Sequence, residues 1–188
     1  MPTYVAFLRA INLGATRKFP KASIVAATES AGATDVATHI NTGNVRLTTR
    51  LRSRERVEQV LEEAYAEHAG FDVPVIAFTA AEFAALADRA AALSAERAHL
   101  ERHYVHLLKS EPDAARLATL PPPTGAGRLP DGSGEFDVVV HGRAAHVLVG
   151  PGHTAGNADP ARIERTLGVV ATNRNVNVVT TIAGLWCR

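Results

Sequence analysis

The sequence predicts an α+β fold in which one β-α-β-β-α-β order occurs twice. Three observations predict it. Short apolar strand-like runs alternate with helix-period patterns through the first eighty residues. The same order returns from about residue 104 onward, and each half carries a tight turn signal, Thr42-Gly43-Asn44 and Gly142-Arg143, between its second and third strands. That order is the split βαβ, or ferredoxin-like, pattern. The expectation is two ferredoxin-like (βαββαβ) units packed together as a structural duplication, with a connecting helix and a C-terminal helix. Residues 1–79 form the first unit. Residues 80–188 hold the connecting helix, the second unit and the C-terminal helix.

The first strand, over 3–11, is apolar on both faces: Tyr4, Ala6, Leu8 and Ala10 on one, Val5, Phe7 and Ile11 on the other. A strand of this kind is covered on both sides. A polar loop from Asn12 to Phe19 leads to Pro20, which suits the first turn of a helix ending at Gly32. Strands over 36–41 and 45–50 flank the first hairpin turn. Ser53 can cap a helix with a stripe of Val57, Val60, Leu61, Ala64 and Tyr65 that ends at Gly70. A strand over 73–78 completes the unit.

Thr79-Ala80-Ala81-Glu82 is a capping-box sequence opening an Ala-rich helix to about residue 100. The second unit then runs as a strand over 104–109, a helix over 112–120, and a hairpin of 135–141 and 144–149. Asp159-Pro160 starts a helix that stops at Gly168, a strand follows over 169–173, and a last helix carries Val178 to Trp186. Pro121 to Gly134 holds four prolines and four glycines, so it reads as a long loop, either a disordered insertion or a lid.

At 188 residues, 46% hydrophobic and 21% charged, the chain is long enough to bury a real core. A net charge of +1 argues against a general nucleic-acid binder, which needs a basic excess. The single cysteine, Cys187, makes no internal disulfide, so a reducing cytoplasm is expected. No signal peptide or membrane segment is read. Arginine outnumbers lysine 17 to 3, and two of the lysines, Lys18 and Lys21, follow Gly14 closely.

Three separated phrases, Tyr4-Val-Ala-Phe-Leu-Arg-Ala-Ile-Asn-Leu-Gly14, Thr42-Gly43-Asn44-Val45 and Thr172-Asn173-Arg174-Asn175, resemble the uncharacterised bacterial family known as domain of unknown function 1697. That family has "YVALLRGINVGG", "SGNV" and "TTRNWNTV" in the same order. The resemblance runs from Tyr4 to about Trp186. It implies two ferredoxin-like units and no established activity. Ala10 and Ala15 stand where the family has Gly, Val176 where it has Trp, and Asn157 where a Lys would be expected.

The candidate site joins Arg9, Asn12, Gly14, Arg17, Lys18, Gly43, Asn44, Arg174 and Asn175. Guanidinium forks and Asn amides suit a phosphate or carboxylate, and Gly lets backbone N–H groups approach it. The competing reading is structural: an internal partner for Arg9, and Asn side chains capping turns. Gly150 to Ala155 matches G-x-G-x-x-A, but no acidic residue ends a strand about 20 residues on, so a dinucleotide loop is not expected. His99, His103 and His106 lack a clear fourth ligand, so no metal is expected. There is no G-x-S-x-G, and the third strand, Val45 to Arg50, has no aromatic residue for stacking on RNA. The leading expectation is a cytoplasmic protein that binds a small anionic ligand and uses no cofactor. The alternative is a non-enzymatic interaction module docking protein or nucleic acid. Neither the ligand, any reaction nor the oligomeric state follows from the sequence.

Overall fold

The computed structural model describes residues 1–12, 14, 16–98, 101–120, 136–151 and 159–188, without the Phe136 side chain. The predicted Pro/Gly loop over 121–134, His99, and most of the G-x-G-x-x-A segment lie outside these residues. The elements run β1 (Thr3–Leu8), α1 (Lys21–Ser30), β2 (Thr34–His39), β3 (Asn44–Thr48), α2 (Arg54–Ala69), β4 (Val75–Thr79) and α3 (Ala80–Glu96). There follow β5 (Arg102–Leu108), α4 (Ala114–Leu117), β6 (Phe136–His141), β7 (Ala144–Val149), α5 (Pro160–Leu167), β8 (Ala171–Asn175) and α6 (Val176–Trp186). The result is a mixed α+β protein with two four-stranded antiparallel sheets, ordered β2-β3-β1-β4 and β6-β7-β5-β8. Six helices accompany them among the described residues. No described helix is long and apolar enough to cross a membrane.

The chain divides into two compact units, Met1–Ala84 with Ile182–Arg188, and Ala85–Thr181. This division falls inside α3, five residues beyond the 79/80 boundary expected from the sequence, and it groups the last seven residues with the first unit. Periodicity along a continuous helix carries no mark of where its packing partner changes, which is why the sequence does not show this boundary.

In the first unit, Tyr4, Ala6 and Leu8 of β1 pack against Ile24 and Ala27 of α1 and against Val57, Leu61 and Tyr65 of α2. The opposite face of β1 is buried as well. Phe7 lies 5.0 Å from Phe83 of α3 and 6.3 Å from Phe78, ring centre to ring centre. In the second unit, Leu108, Ala145, Val147, Val149 and Ala171 form a core with Ile163 and Leu167 of α5.

Local chemistry sets the element ends. Ser53 accepts from Arg56 N–H, and Gly70 closes α2 with φ 75°. The capping box forms as expected: Glu82 N–H donates to Thr79 Oγ1 at 3.2 Å, and Thr79 N–H donates to Glu82 Oε2 at 2.8 Å. Three expectations need correction. The first strand stops at Leu8, because Ala10 and Asn12 adopt φ of 55° and 56°. The helix expected over 112–120 is a single turn, Ala114–Leu117, capped by Asp113, whose side chain accepts from Arg116 N–H. The strand expected over 169–173 runs instead from Ala171 to Asn175, so Arg174 lies within β8 and not after it, since pairing with β5 outweighs the weak strand propensity of Asn173 and Asn175.

β4 is an edge strand, and its outward N–H groups are all received by carboxylates. Val75 N–H donates to Glu62, Ala77 N–H to Glu58 and Thr79 N–H to Glu82, at 2.7, 2.9 and 2.8 Å. An edge closed in this way offers no row of free donors to a foreign strand. Glu164 of α5 does the same for Ala171 N–H of β8, at 2.7 Å.

Candidate functional site

The register brings the end of β1 to the start of β3. Phe7 opposes Asn44, and Leu8 N–H donates to Gly43 O at 2.8 Å. The loop leaving β1 folds back on this junction, held by Asn12 and Arg17. Asn12 Nδ2 donates to Asn41 O at 2.9 Å, while its Oδ1 accepts from Phe19 N–H at 2.9 Å. Arg17 Nε donates to Ala10 O at 2.7 Å and its Nη2 to Asp72 O at 2.6 Å, with the guanidinium 4.5 Å above the Phe71 ring centre. These two side chains brace the loop.

Gly43 and Asn44 are equally engaged. A Cβ on Gly43, at φ 74°, would sit 2.7 Å from Leu8 Cβ and 2.8 Å from Ile11 Cδ1. No residue but glycine fits that conformation and that space. Asn44 is fully buried, and its Nδ2 donates to His39 O and Thr42 Oγ1, both at 3.0 Å. Arg9 is half-buried, and its backbone N–H donates to Pro74 O at 2.9 Å. Gly14, at φ 67°, and Lys18 are exposed. The structure thus gathers Arg9, Asn12, Arg17, Gly43 and Asn44 at one junction of the first unit. An open depression lined by Glu62, Asp72, Val73 and Pro74 adjoins it, and its two acids do not suit an anion.

Arg174 and Asn175 belong to the second unit. Arg174 is 8% exposed, and its Nη1 donates to Thr172 Oγ1 at 3.0 Å and Asn173 O at 2.6 Å. Burial pulls its pKa down to about 10. Asn175 caps α6, accepting from Asn177 N–H at 2.9 Å.

Sequence reasoning missed a second cluster. His103 Nε2 lies 3.0 Å from His146 Nδ1, and His103 Nδ1 lies 2.7 Å from Ser94 Oγ of α3. Beside them Arg97 Nε approaches Asp137 Oδ2 at 3.4 Å. His103 lies on a strand and not at a helix end, and His106, three residues on, faces the opposite side of the sheet. Among the described residues no three His, Cys, Asp or Glu side chains gather to hold a metal ion. The overlooked signal was a polar ring inside two apolar strands, His103-Tyr-Val-His-Leu-Leu108 and Ala144-Ala-His-Val-Leu-Val149.

The opening phrase, the first hairpin turn and the fold that carries them fall within a family model, "Protein of unknown function (DUF1697)", that matches residues 1–129. The chain belongs to the DUF1697 family. Its Thr172 to Asn175 phrase lies beyond the matched span. No curated protein matches this family member. Among solved structures it is similar to the conserved bacterial protein SP0830 from Streptococcus pneumoniae, with a TM-score of 0.70 and 18% sequence identity. The likeness covers 100% of this chain and 99% of that one, and at this identity it speaks for the fold alone.

Proposed function

We propose that this DUF1697 protein is a duplicated ferredoxin-like protein of the bacterial cytoplasm that binds a small phosphate- or carboxylate-bearing anion on the loop between β1 and α1. The duplication is supported bond by bond. Gly43 O receives Leu8 N–H as Arg143 O receives Leu108 N–H, and Pro74 O receives Arg9 N–H as Val170 O receives Lys109 N–H. A cytoplasmic site fits a sequence with one cysteine.

One observation carries the ligand reading. Residues 9–21 hold four cations, Arg9, Arg17, Lys18 and Lys21, and no acid, on a backbone bent through positive φ at Ala10, Asn12 and Gly14. Left-handed residues in a loop turn successive N–H groups toward one side, and strain of this kind gathers where a ligand is met. In this reading Asn12, Arg17, Gly43 and Asn44 shape the loop, while Arg9, the Gly14 backbone and Lys18 meet the anion. Arg174 and Asn175 hold the second unit's own structure.

A thermal-shift panel of inorganic phosphate, citrate and nucleotides tests it, because binding to the native state raises the melting temperature. The wild-type chain shifts with at least one anion, and Lys18→Ala removes the shift without lowering the starting Tm. Equal shifts in both proteins, or none with any anion, defeat the reading. The interaction-module alternative has one observation in its favour. Ile40, a β-branched residue at φ 50°, is 39% exposed at the hairpin tip.

A further inference from the structure

The His103–His146 pair lies on the face of the second sheet that does not meet α5. By register and alternation this face carries His103, Val105 and Leu107 of β5, His146 of β7, Asp137 of β6, and Thr172 and Arg174 of β8. His103 is 5% exposed and His146 is 1% exposed. One contact ties the last turn of α3 to this face, Ser94 to His103 at 2.7 Å, and a second ties the residue just beyond the helix, Arg97 to Asp137 at 3.4 Å.

The hydrogen bonds run in one direction along the chain of rings. Either Ser94 O–H donates to His103 Nδ1 and His103 Nε2–H to His146 Nδ1, or each donor and acceptor reverses. Both arrangements are met by two neutral imidazoles, and in both His103 carries one ring proton only. Both leave His146 Nε2 buried without a partner among the described residues. One added proton creates a buried cation, and a second sets two N–H groups against each other across 3.0 Å. The charged and titratable surroundings give little relief. Arg89 of α3, Arg97 just after it, His141 of β6, His106 of β5 and Arg174 of β8 add no negative charge, and Asp137 is held by Arg97.

We propose that the Ser94–His103–His146 chain is an acid-sensitive latch whose protonation loosens the end of α3 from the second sheet. Burial holds His103 down to about 4 and His146 to about 3, against an ordinary histidine value near 6.5. The sign follows directly. The open state binds more protons than the closed one below pH 6.5, so closure is intact above that value and weakens as pH falls toward 4. Two such groups raise the opening constant by up to about 100-fold per pH unit in that window. His106 is also pushed down to about 4 by burial, but it faces α5 and does not touch the latch.

Amide hydrogen exchange on the whole chain, corrected for the intrinsic pH dependence, is the test. Protection over residues 90–97 falls by about 100-fold per pH unit below pH 6, while α1 and α2 keep theirs. His146→Leu reduces that slope to about 10-fold, and His106→Leu leaves it unchanged. Nitrogen-15 imidazole spectra of the wild-type protein decide the matter if a variant fails to fold, with both rings neutral at pH 5.5. Rings that titrate near 6.5, or α3 protection that ignores pH, overturn the latch.

Discussion

The second faces of the two sheets share one register and differ in chemistry. Val5 of β1 opposes Phe78 and Arg46, and Val105 of β5 opposes Arg174 and His146. Phe78 in the first unit thus corresponds to Arg174 in the second, and Phe7 to Leu107. The first face carries Arg46 and the buried Asn44 on β3, but around β4 and α3 it closes on a trio of rings, Phe7, Phe78 and Phe83. The second closes on an arginine, an acid and two imidazoles, all buried. The comparison teaches that strand pairing sets the fold and leaves a face free to be either apolar or polar. An apolar face draws its stability from area removed from water, about 25 cal/mol per Å². A polar one holds only while every partner is in place.

The sharpest way to break the comparison is to remove the cover. A fragment of residues 1–79 lacks Phe83 and exposes Phe7 and Phe78, so we expect no cooperative unfolding transition by calorimetry and aggregation on concentration. Exchanging the chemistry comes next. Phe78→Arg places a charge between two rings and costs more than about 4 kcal/mol, read by urea denaturation. Arg174→Ala, which strands the groups that Arg174 holds, costs about 2–4 kcal/mol by the same measurement.

Alkali distinguishes the units in the opposite sense from acid. Tyr65 is fully buried against Thr28 Oγ1 at 2.8 Å, and burial raises its pKa well above 10. The unfolded chain therefore loses that proton first, and the first unit is destabilised as pH rises above 10. Tyr65→Phe should flatten this alkaline limb in a pH series of melts. The smallest effect is at the sealed edge. Glu58→Gln keeps an acceptor for Ala77 N–H but gives up the carboxylate, and should cost about 1 kcal/mol.

Much of the fold was legible. Two apolar faces on the first strand meant two covered faces, and β1 is buried from Tyr4 to Leu8. Ser53, Gly70, Thr79, Asp159 and Gly168 mark helix ends because each acts through a local hydrogen bond or a left-handed φ. The site was less legible. Asn12, Arg17 and Asn44 were picked out by residue type, but residue type does not say whether an amide braces a loop or meets a ligand. The histidine pair was hidden for another reason. His103 and His146 lie 43 residues apart and meet only through the β5–β7 register.

The sequence contains one tryptophan and one cysteine, and they are neighbours at Trp186 and Cys187. Both lie in the segment that groups with the first unit, where the Trp186 ring meets His39 edge-on at 6.3 Å. Cys187 is half-buried, burial raises its thiol pKa, and its N–H closes on Ala183 O at 3.0 Å. Tryptophan emission and thiol labelling therefore watch the same helical turn, and neither probe residue belongs to the second unit. A fluorescence melt therefore reads a residue of the first unit, and the buried histidines of the second need a probe of their own.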